Sequence, residues 1–287
     1  MNKLLYCFLL SFSVMAVSAC TDDKEEQNLP PVPDFNQMTL KENLHSDGGD
    51  VYRTDTYVFN NNKLTTHTTV QEFYGQSLTH EVTLSYSGNE VTLTDENGNT
   101  GTYILGDTGY ATECTYKLSS QIRKYKFTYS GEYLTRIDEE IDGTPYSSVE
   151  LAYDNGNLSH IIANGQQTNY QVGNTKNLYQ LPCLQVCDIY PLSLHTDAIY
   201  ARLLGTQSKY LIIGNTPEGN EEEYTKYTYE LDKDGKPTGI IAKTTSTGTV
   251  IDINGNAYNE TKTDTRTINI NIEPKIRKQS QWQSQLQ

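Results

Sequence analysis

The chain has 287 residues, with 22 Lys plus Arg against 36 Asp plus Glu, a net charge of −14 and a pI near 4.7, which excludes a protein built to neutralise nucleic-acid phosphates. Hydrophobic residues make up 36%, yet there are 22 Tyr and 36 Thr, residue types that suit a pleated, half-buried surface and make a helical bundle improbable. Composition therefore points to β structure and leaves the activity open.

The N-terminus carries an address. Lys3 precedes an apolar run over residues 4–17, too short to span a bilayer and of the length of a secretory signal. Val17-Ser18-Ala19-Cys20 then resembles the bacterial lipobox. The resemblance implies diacylglyceryl attachment to the Cys20 sulfur, cleavage before Cys20 and acylation of the new amine, so residues 1–19 are expected to leave as a lipoprotein signal peptide. Two or more acyl chains hold a protein on a membrane where one does not. Residues 20–38 open with Thr21-Asp22-Asp23-Lys24-Glu25-Glu26 and continue through Pro30, Pro31 and Pro33, an acidic, Pro-containing stretch expected to act as a solvated tether. An acidic run directly after the lipidated Cys resembles the surface-export signal of Bacteroides-type lipoproteins. It implies the outer face of the outer membrane, with the periplasmic face as the alternative.

Residues 39–272 read as one domain of repeated hairpins. Lys124-Tyr125-Lys126-Phe127-Thr128-Tyr129, Lys226-Tyr227-Thr228-Tyr229-Glu230-Leu231 and Arg266-Thr267-Ile268-Asn269-Ile270-Asn271-Ile272 alternate polar with apolar residues, as half-buried antiparallel strands do. Asn97-Gly98, Asp142-Gly143, Asn155-Gly156, Asn164-Gly165, Asp234-Gly235 and Asn254-Gly255 are tight-turn pairs, and their density predicts more than ten strands in meander order. Five segments repeat an aromatic-rich strand, a Gly or Asn turn and an apolar return: they begin at Tyr57, Leu84, Phe127, Leu151 and Tyr227. Residues 178–214 break this pattern. There Thr196-Asp197 is placed to cap a short helix through Ile199, Tyr200 and Leu203 before Gly205 ends it, giving a lid or plug packed on the sheet or an irregular crossover. Residues 273–287, with Trp282 in a Gln-rich run, read as a flexible tail.

The expected fold is all-β, an antiparallel meander of hairpins forming a curved sheet or partly closed barrel, with a short helical or irregular insertion near 178–214. Tyr153-Asp154-Asn155-Gly156-Asn157-Leu158 resembles one YD repeat. Together the lipobox, the aromatic hairpins and Leu203-Leu204-Gly205-Thr206-Gln207-Ser208-Lys209 resemble a Bacteroides-type lipoprotein family of unknown function with a porin-like β fold. That resemblance supplies no catalytic residues. Charges such as those in Arg136-Ile137-Asp138-Glu139-Glu140 interrupt both faces of the strands, so a water-soluble domain on a tether is favoured over a membrane-spanning barrel.

Reactive motifs are scarce. His45, His67, His80, His160 and His195 form no metal-binding helix motif, although His67 and His80 fall on the two arms of a hairpin turning at Tyr74-Gly75. Asp95-Glu96-Asn97-Gly98-Asn99 and Asp252-Ile253-Asn254-Gly255-Asn256 have calcium-loop composition, but the Gly falls too early and the bidentate closing Glu is missing. Glu139 and Glu140, adjacent on a strand, point to opposite faces and cannot act as a pair. Cys114, Cys183 and Cys187 allow at most one disulfide and read as buried small hydrophobes, with Cys183 and Cys187 on a helical turn. No catalytic residue, cofactor or metal is expected. The function expected is that of a noncatalytic envelope lipoprotein, anchored through Cys20, that binds a glycan or lipid on a Tyr-rich face. The alternatives are a structural or assembly partner of an outer-membrane complex and, third, a hydrolase built from scattered carboxylates.

Overall fold

The computed structural model describes residues 34–46, 49–118, 120–220, 222–251 and 256–275. Cys20, the signal and most of the tether, the Asn254-Gly255 turn, and Trp282 lie outside them. Sixteen strands follow in order: β1 (Phe35–Ser46), β2 (Gly49–Asn60), β3 (Lys63–Phe73), β4 (Gln76–Ser87), β5 (Glu90–Asp95), β6 (Thr100–Leu105), β7 (Ala111–Leu118) and β8 (Gln121–Ser130), then β9 (Tyr133–Ile141), β10 (Thr144–Asp154), β11 (Asn157–Ala163), β12 (Gln166–Lys176), β13 (Tyr210–Pro217), β14 (Glu223–Leu231), β15 (Pro237–Ile251) and β16 (Ala257–Pro274). Each pairs antiparallel with its sequence neighbours, and β16 returns to pair with β1. The sheet is thus a closed barrel, and no curved open sheet remains.

Inward and outward positions differ sharply. On β8 the inward Tyr125 and Phe127 are buried while Lys124, Lys126 and Thr128 face solvent. A meander places the connections alternately at two ends. At one of them, the entry end, Asp34 leads into β1, and the β2–β3, β4–β5, β8–β9 and β10–β11 turns lie at that same end. Asn155 (φ 50°) and Gly156 (φ 79°) make the β10–β11 turn, a pair in the left-handed region that matches strand twist.

The repeat seen in the sequence has a structural cause at this end. In each copy the first apolar residue of the return strand is followed by Thr or Ser, and in all but the β4–β5 copy that residue sits at a register shift. Thr65 donates to Val58 O at 3.1 Å, Thr135 to Thr128 O at 3.1 Å and Ser159 to Ala152 O at 3.1 Å, and the register shifts at those points. Bulges add twist and bend a sheet toward closure. The strand-end tyrosines fasten neighbours together: Tyr86, Tyr129 and Tyr229 donate their hydroxyls to Leu64 O, Ala111 O and Ile212 O at 2.9, 2.7 and 3.0 Å.

Between β12 and β13 the chain turns into the barrel and fills it. This plug contains two 3₁₀ turns, Leu184–Asp188 and Leu192–His195, and one helical turn, α1 (Thr196–Tyr200). Its Leu192, His195 and Ala198 are fully buried, and it touches inward side chains of β2, β3, β6, β8, β9 and β16. Backbone bonds seal it to the entry-end turns, Ala111 N to Leu203 O at 2.8 Å, Thr206 N to Glu132 O at 2.8 Å and Lys209 N to Gly156 O at 3.0 Å.

Four boundaries differ from expectation. The plug ends at Lys209 and not at 214, because Leu211 and Ile212 are buried wall residues of β13. Thr196 does not cap α1: it is the first helical residue, its hydroxyl bonds Ser193 O, and Asp197 turns instead to the wall. β1 begins at Phe35, inside the stretch read as tether, because Phe35 and Met38 belong to the core. β16 extends to Pro274, two residues past the domain limit expected.

Candidate functional site

Three polar clasps and one aromatic box hold the plug, and each takes a residue from the plug and its partners from the wall. Tyr57 on β2 stacks on His67 of β3 (4.1 Å) and on Tyr200 of α1 (4.2 Å). His67 Nδ1 lies 2.5 Å from Asp197 and Nε2 3.2 Å from Asp55, whose carboxylate also accepts bonds from Thr69 at 2.6 Å and Arg53 at 2.8 Å. Burial opposes charge on His67, but the hydrogen bonds to Asp197 and Asp55 outweigh it and raise its pKa to about 9. Burial likewise opposes charge on Asp55, yet its bonds to His67, Arg53 and Thr69 lower it to about 2. The clasp is an imidazolium between two carboxylates.

This charge state decides a chemical question. Thr69 Oγ1 stands 3.3 Å from His67 Nε2, a spacing that suits a nucleophile and its base. A base must be neutral to take a proton, and His67 is cationic with both nitrogens facing carboxylates. The arrangement ties the plug to the wall, and the Thr69 hydroxyl donates to Asp55.

The second clasp is Glu139 of β9, fully buried. Its carboxylate accepts bonds from Tyr190 of the plug at 2.6 Å, Ser147 at 2.6 Å, Tyr125 at 2.9 Å and Arg123 at 3.1 Å. Desolvation alone would raise its pKa, but these donors hold it below the usual carboxylate range. The third is Arg266 of β16, which donates to Glu42 of β1 at 2.6 Å and to Asp188 of the plug at 2.9 Å. The aromatic box surrounds His195, with the rings of Tyr125, Phe127, Tyr103 and Tyr116 at 4.4, 5.2, 5.8 and 5.8 Å. Its Nδ1 meets the Tyr103 hydroxyl at 2.7 Å, and complete burial lowers its pKa to about 3, so it is neutral at neutral pH.

With the lumen filled, a concavity of about 940 Å³ runs across β7–β11. Outward-facing Glu113, Lys124, Lys126, Arg136, Asp138 and Glu150 line it. Register places Glu113 opposite Lys126, Lys126 opposite Asp138 and Arg136 opposite Glu150, a ladder of alternating charge. Tyr146, 65% exposed, stands in the same lining.

The residues singled out in the sequence fall as follows. His67 and His80 occupy the two arms of the β3–β4 hairpin but share no site: His67 is buried in its clasp, whereas His80 is exposed and meets Glu96 at 2.8 Å. Glu139 and Glu140 do part to opposite faces, Glu139 buried in its clasp and Glu140 exposed, although both reach the lining of the concavity. Asp95 holds its turn by accepting from the backbone N–H of Asn97 at 2.9 Å and Asn99 at 2.8 Å. Cys183 precedes a 3₁₀ turn that contains Cys187, while Cys114 and Cys183 are buried. Sequence reasoning missed Asp55, read Asp197 only as part of a helix cap, and set Glu139 aside as half of an adjacent pair. The detectable signal was a carboxylate at an inward position of an alternating strand, as at Glu139 two residues after Ile137.

A family described as a domain of unknown function (DUF4595) with porin-like fold matches residues 59–239. The crystal structure of a porin-like protein from Bacteroides uniformis is similar at a TM-score of 0.72 and 33% identity, covering 85% of this chain and 99% of that one. No curated protein matches.

Proposed function

We propose, for a chain that belongs to this porin-like family of domains of unknown function, a noncatalytic envelope lipoprotein that binds a polar glycan on its outer wall. The observation that carries this is the position of free space: the interior is occupied by the protein's own plug, and a large concavity opens among the outward charged residues of β7–β11. Its lining of carboxylates, ammonium groups and one guanidinium suits sugar hydroxyls, which both donate and accept, and Tyr146 offers a flat face for a sugar ring. Acyl chains find little there, since Ile162 is the main aliphatic contributor.

The outer wall also bears on location. A lipid-facing Lys or Arg costs about 2–4 kcal/mol near the bilayer midplane. Lys124, Lys126, Arg136, Asp138 and Glu140 all point outward on two adjacent strands. This supports a barrel that stays in water, held at the outer membrane by lipid on Cys20 and displayed on the cell surface. Mass spectrometry of the mature protein tests the anchor: an N-terminal Cys20 carrying acyl mass is expected, and a Cys20 terminus without it refutes lipidation. A glycan array probed with the purified protein tests the ligand. Saccharide binding that falls at least tenfold in Arg136→Ala and Tyr146→Ala is expected. Retention of phospholipid alone, with no saccharide bound, overturns the reading.

A further inference from the structure

β15 and β16 outrun their neighbours. They pair with each other without a register shift from Gly239 opposite Asn269 to Ile251 opposite Ala257. β1 accompanies β16 only as far as Asn43 opposite Thr267, and β14 accompanies β15 only to Glu223 opposite Ser246. Among the described residues, 257–265 of β16 therefore pair with no strand on the side away from β15, and all but Glu260 are exposed. On such an edge every second residue directs its N–H and C=O outward. Proline, bulges or a run of like charge ordinarily blunt exposed edges. This one has no proline and no bulge.

Its charges follow a pattern of their own. Glu260, Lys262, Asp264 and Arg266 alternate in sign with Thr261, Thr263 and Thr265 between them, a neutral stretch in a chain of net charge −14. Read in the opposite direction, the order of signs inverts. Antiparallel pairing of this stretch with itself therefore sets unlike charges opposite each other.

We infer that the edge is an interface with a second copy of the chain, paired antiparallel about a two-fold axis at Thr261. In this register Glu260 faces the partner's Lys262, Lys262 faces the partner's Glu260, and Thr261 faces the partner's Thr261. The pairing spans 257–265, the whole unaccompanied edge. On the other face the Thr247–Thr261 rung, with hydroxyls 2.9 Å apart, is continued by the partner's threonines across the seam. Glu260 and Lys262 of one chain already lie 3.6 Å apart, so the dimer closes a four-charge network. Moving the axis to residue 262 opposes Glu260 and Asp264. Moving it to Thr263 requires Arg266, which Glu42 and Asp188 already hold. Nine residues from each copy make a small interface, so the association is weak and reversible.

The register makes a covalent test available. Opposed residues of an antiparallel pair have Cα atoms about 4.5–5.5 Å apart, within disulfide range. The full-length protein carrying Thr261→Cys is expected to form a covalent dimer on mild oxidation, whereas wild type and Thr245→Cys, on the neighbouring β15, are not. In the Thr261→Cys background, Lys262→Glu or Glu260→Lys is expected to slow crosslinking about tenfold by opposing like charges twice, and the double exchange E260K/K262E is expected to restore it. Absence of a Thr261→Cys dimer in protein with a wild-type circular dichroism spectrum overturns the inference. So does crosslinking that ignores the charge reversals, or a double exchange that fails to rescue.

Discussion

The two ends of the barrel are built on opposite plans. At the entry end short turns, Ser and Thr bulges and tyrosine hydroxyls tie each strand to the next, and the plug closes the opening with backbone hydrogen bonds. At the far end the strands run on past their neighbours and leave apolar side chains in water, among them Tyr74 (77% exposed), Ile251 (70%) and Leu78 (58%). The difference locates stability and contact in separate places. Burial and hydrogen-bonded polar groups concentrate around the plug, where His195 Nε2 is the exception, so the far end contributes little to the core and is free to present edges and aromatic surface.

Substitutions sharpen this contrast, and the largest effects belong to the plug. Leu192→Ala removes a fully buried side chain in the lumen and is expected to cost about 3 kcal/mol in denaturant unfolding. The His67 clasp adds a comparable, pH-dependent contribution. Because the folded pKa is raised to about 9 from 6.5, its stabilisation is complete below about pH 6.5 and is lost as pH rises through about 9. The size expected is about 3 kcal/mol, read as a falling Tm between pH 6 and 10 that His67→Gln flattens. Asp55, lowered to about 2, acts on the acid side: its contribution is present above about pH 4 and fades as pH falls toward 2.

Gly205→Ala tests the plug's return to the wall. Gly205 has φ 81°, and an added Cβ would lie 2.6 Å from Glu132 O, so a loss of about 2 kcal/mol is expected in the same unfolding assay. Thr135→Val, which removes one bulge hydroxyl, is expected to cost about 1 kcal/mol. Tyr74→Ala at the far end is expected to change stability by less than about 0.5 kcal/mol. A far-end loss as large as that of Leu192→Ala would break the division between the two ends.

Much of the architecture was legible because it repeats locally. Alternation in Lys124-Tyr125-Lys126-Phe127 marked a strand with one wet and one dry face, and Asn155-Gly156 marked the turn between β10 and β11. The interruption read from residue 178 was legible as a loss of that alternation. Its place inside the barrel was not, since the plug's partners are distant in sequence: Asp197 reaches His67 across 130 residues, and Arg266 reaches Glu42 across 224. The outer concavity was hidden for the same reason, being assembled from five strands whose outward residues look like ordinary solvated charge.

The sequence by itself determined the alternation of faces, the turn positions and the segment that departs from them, because each depends on residues within one hairpin. Only the tertiary structure decided that β16 meets β1, that the departing segment fills the lumen, and that β16 keeps a free edge. Closure depends on twist and bulges summed around sixteen strands, and ionisation of a group such as His67 depends on which carboxylates the closed barrel brings beside it.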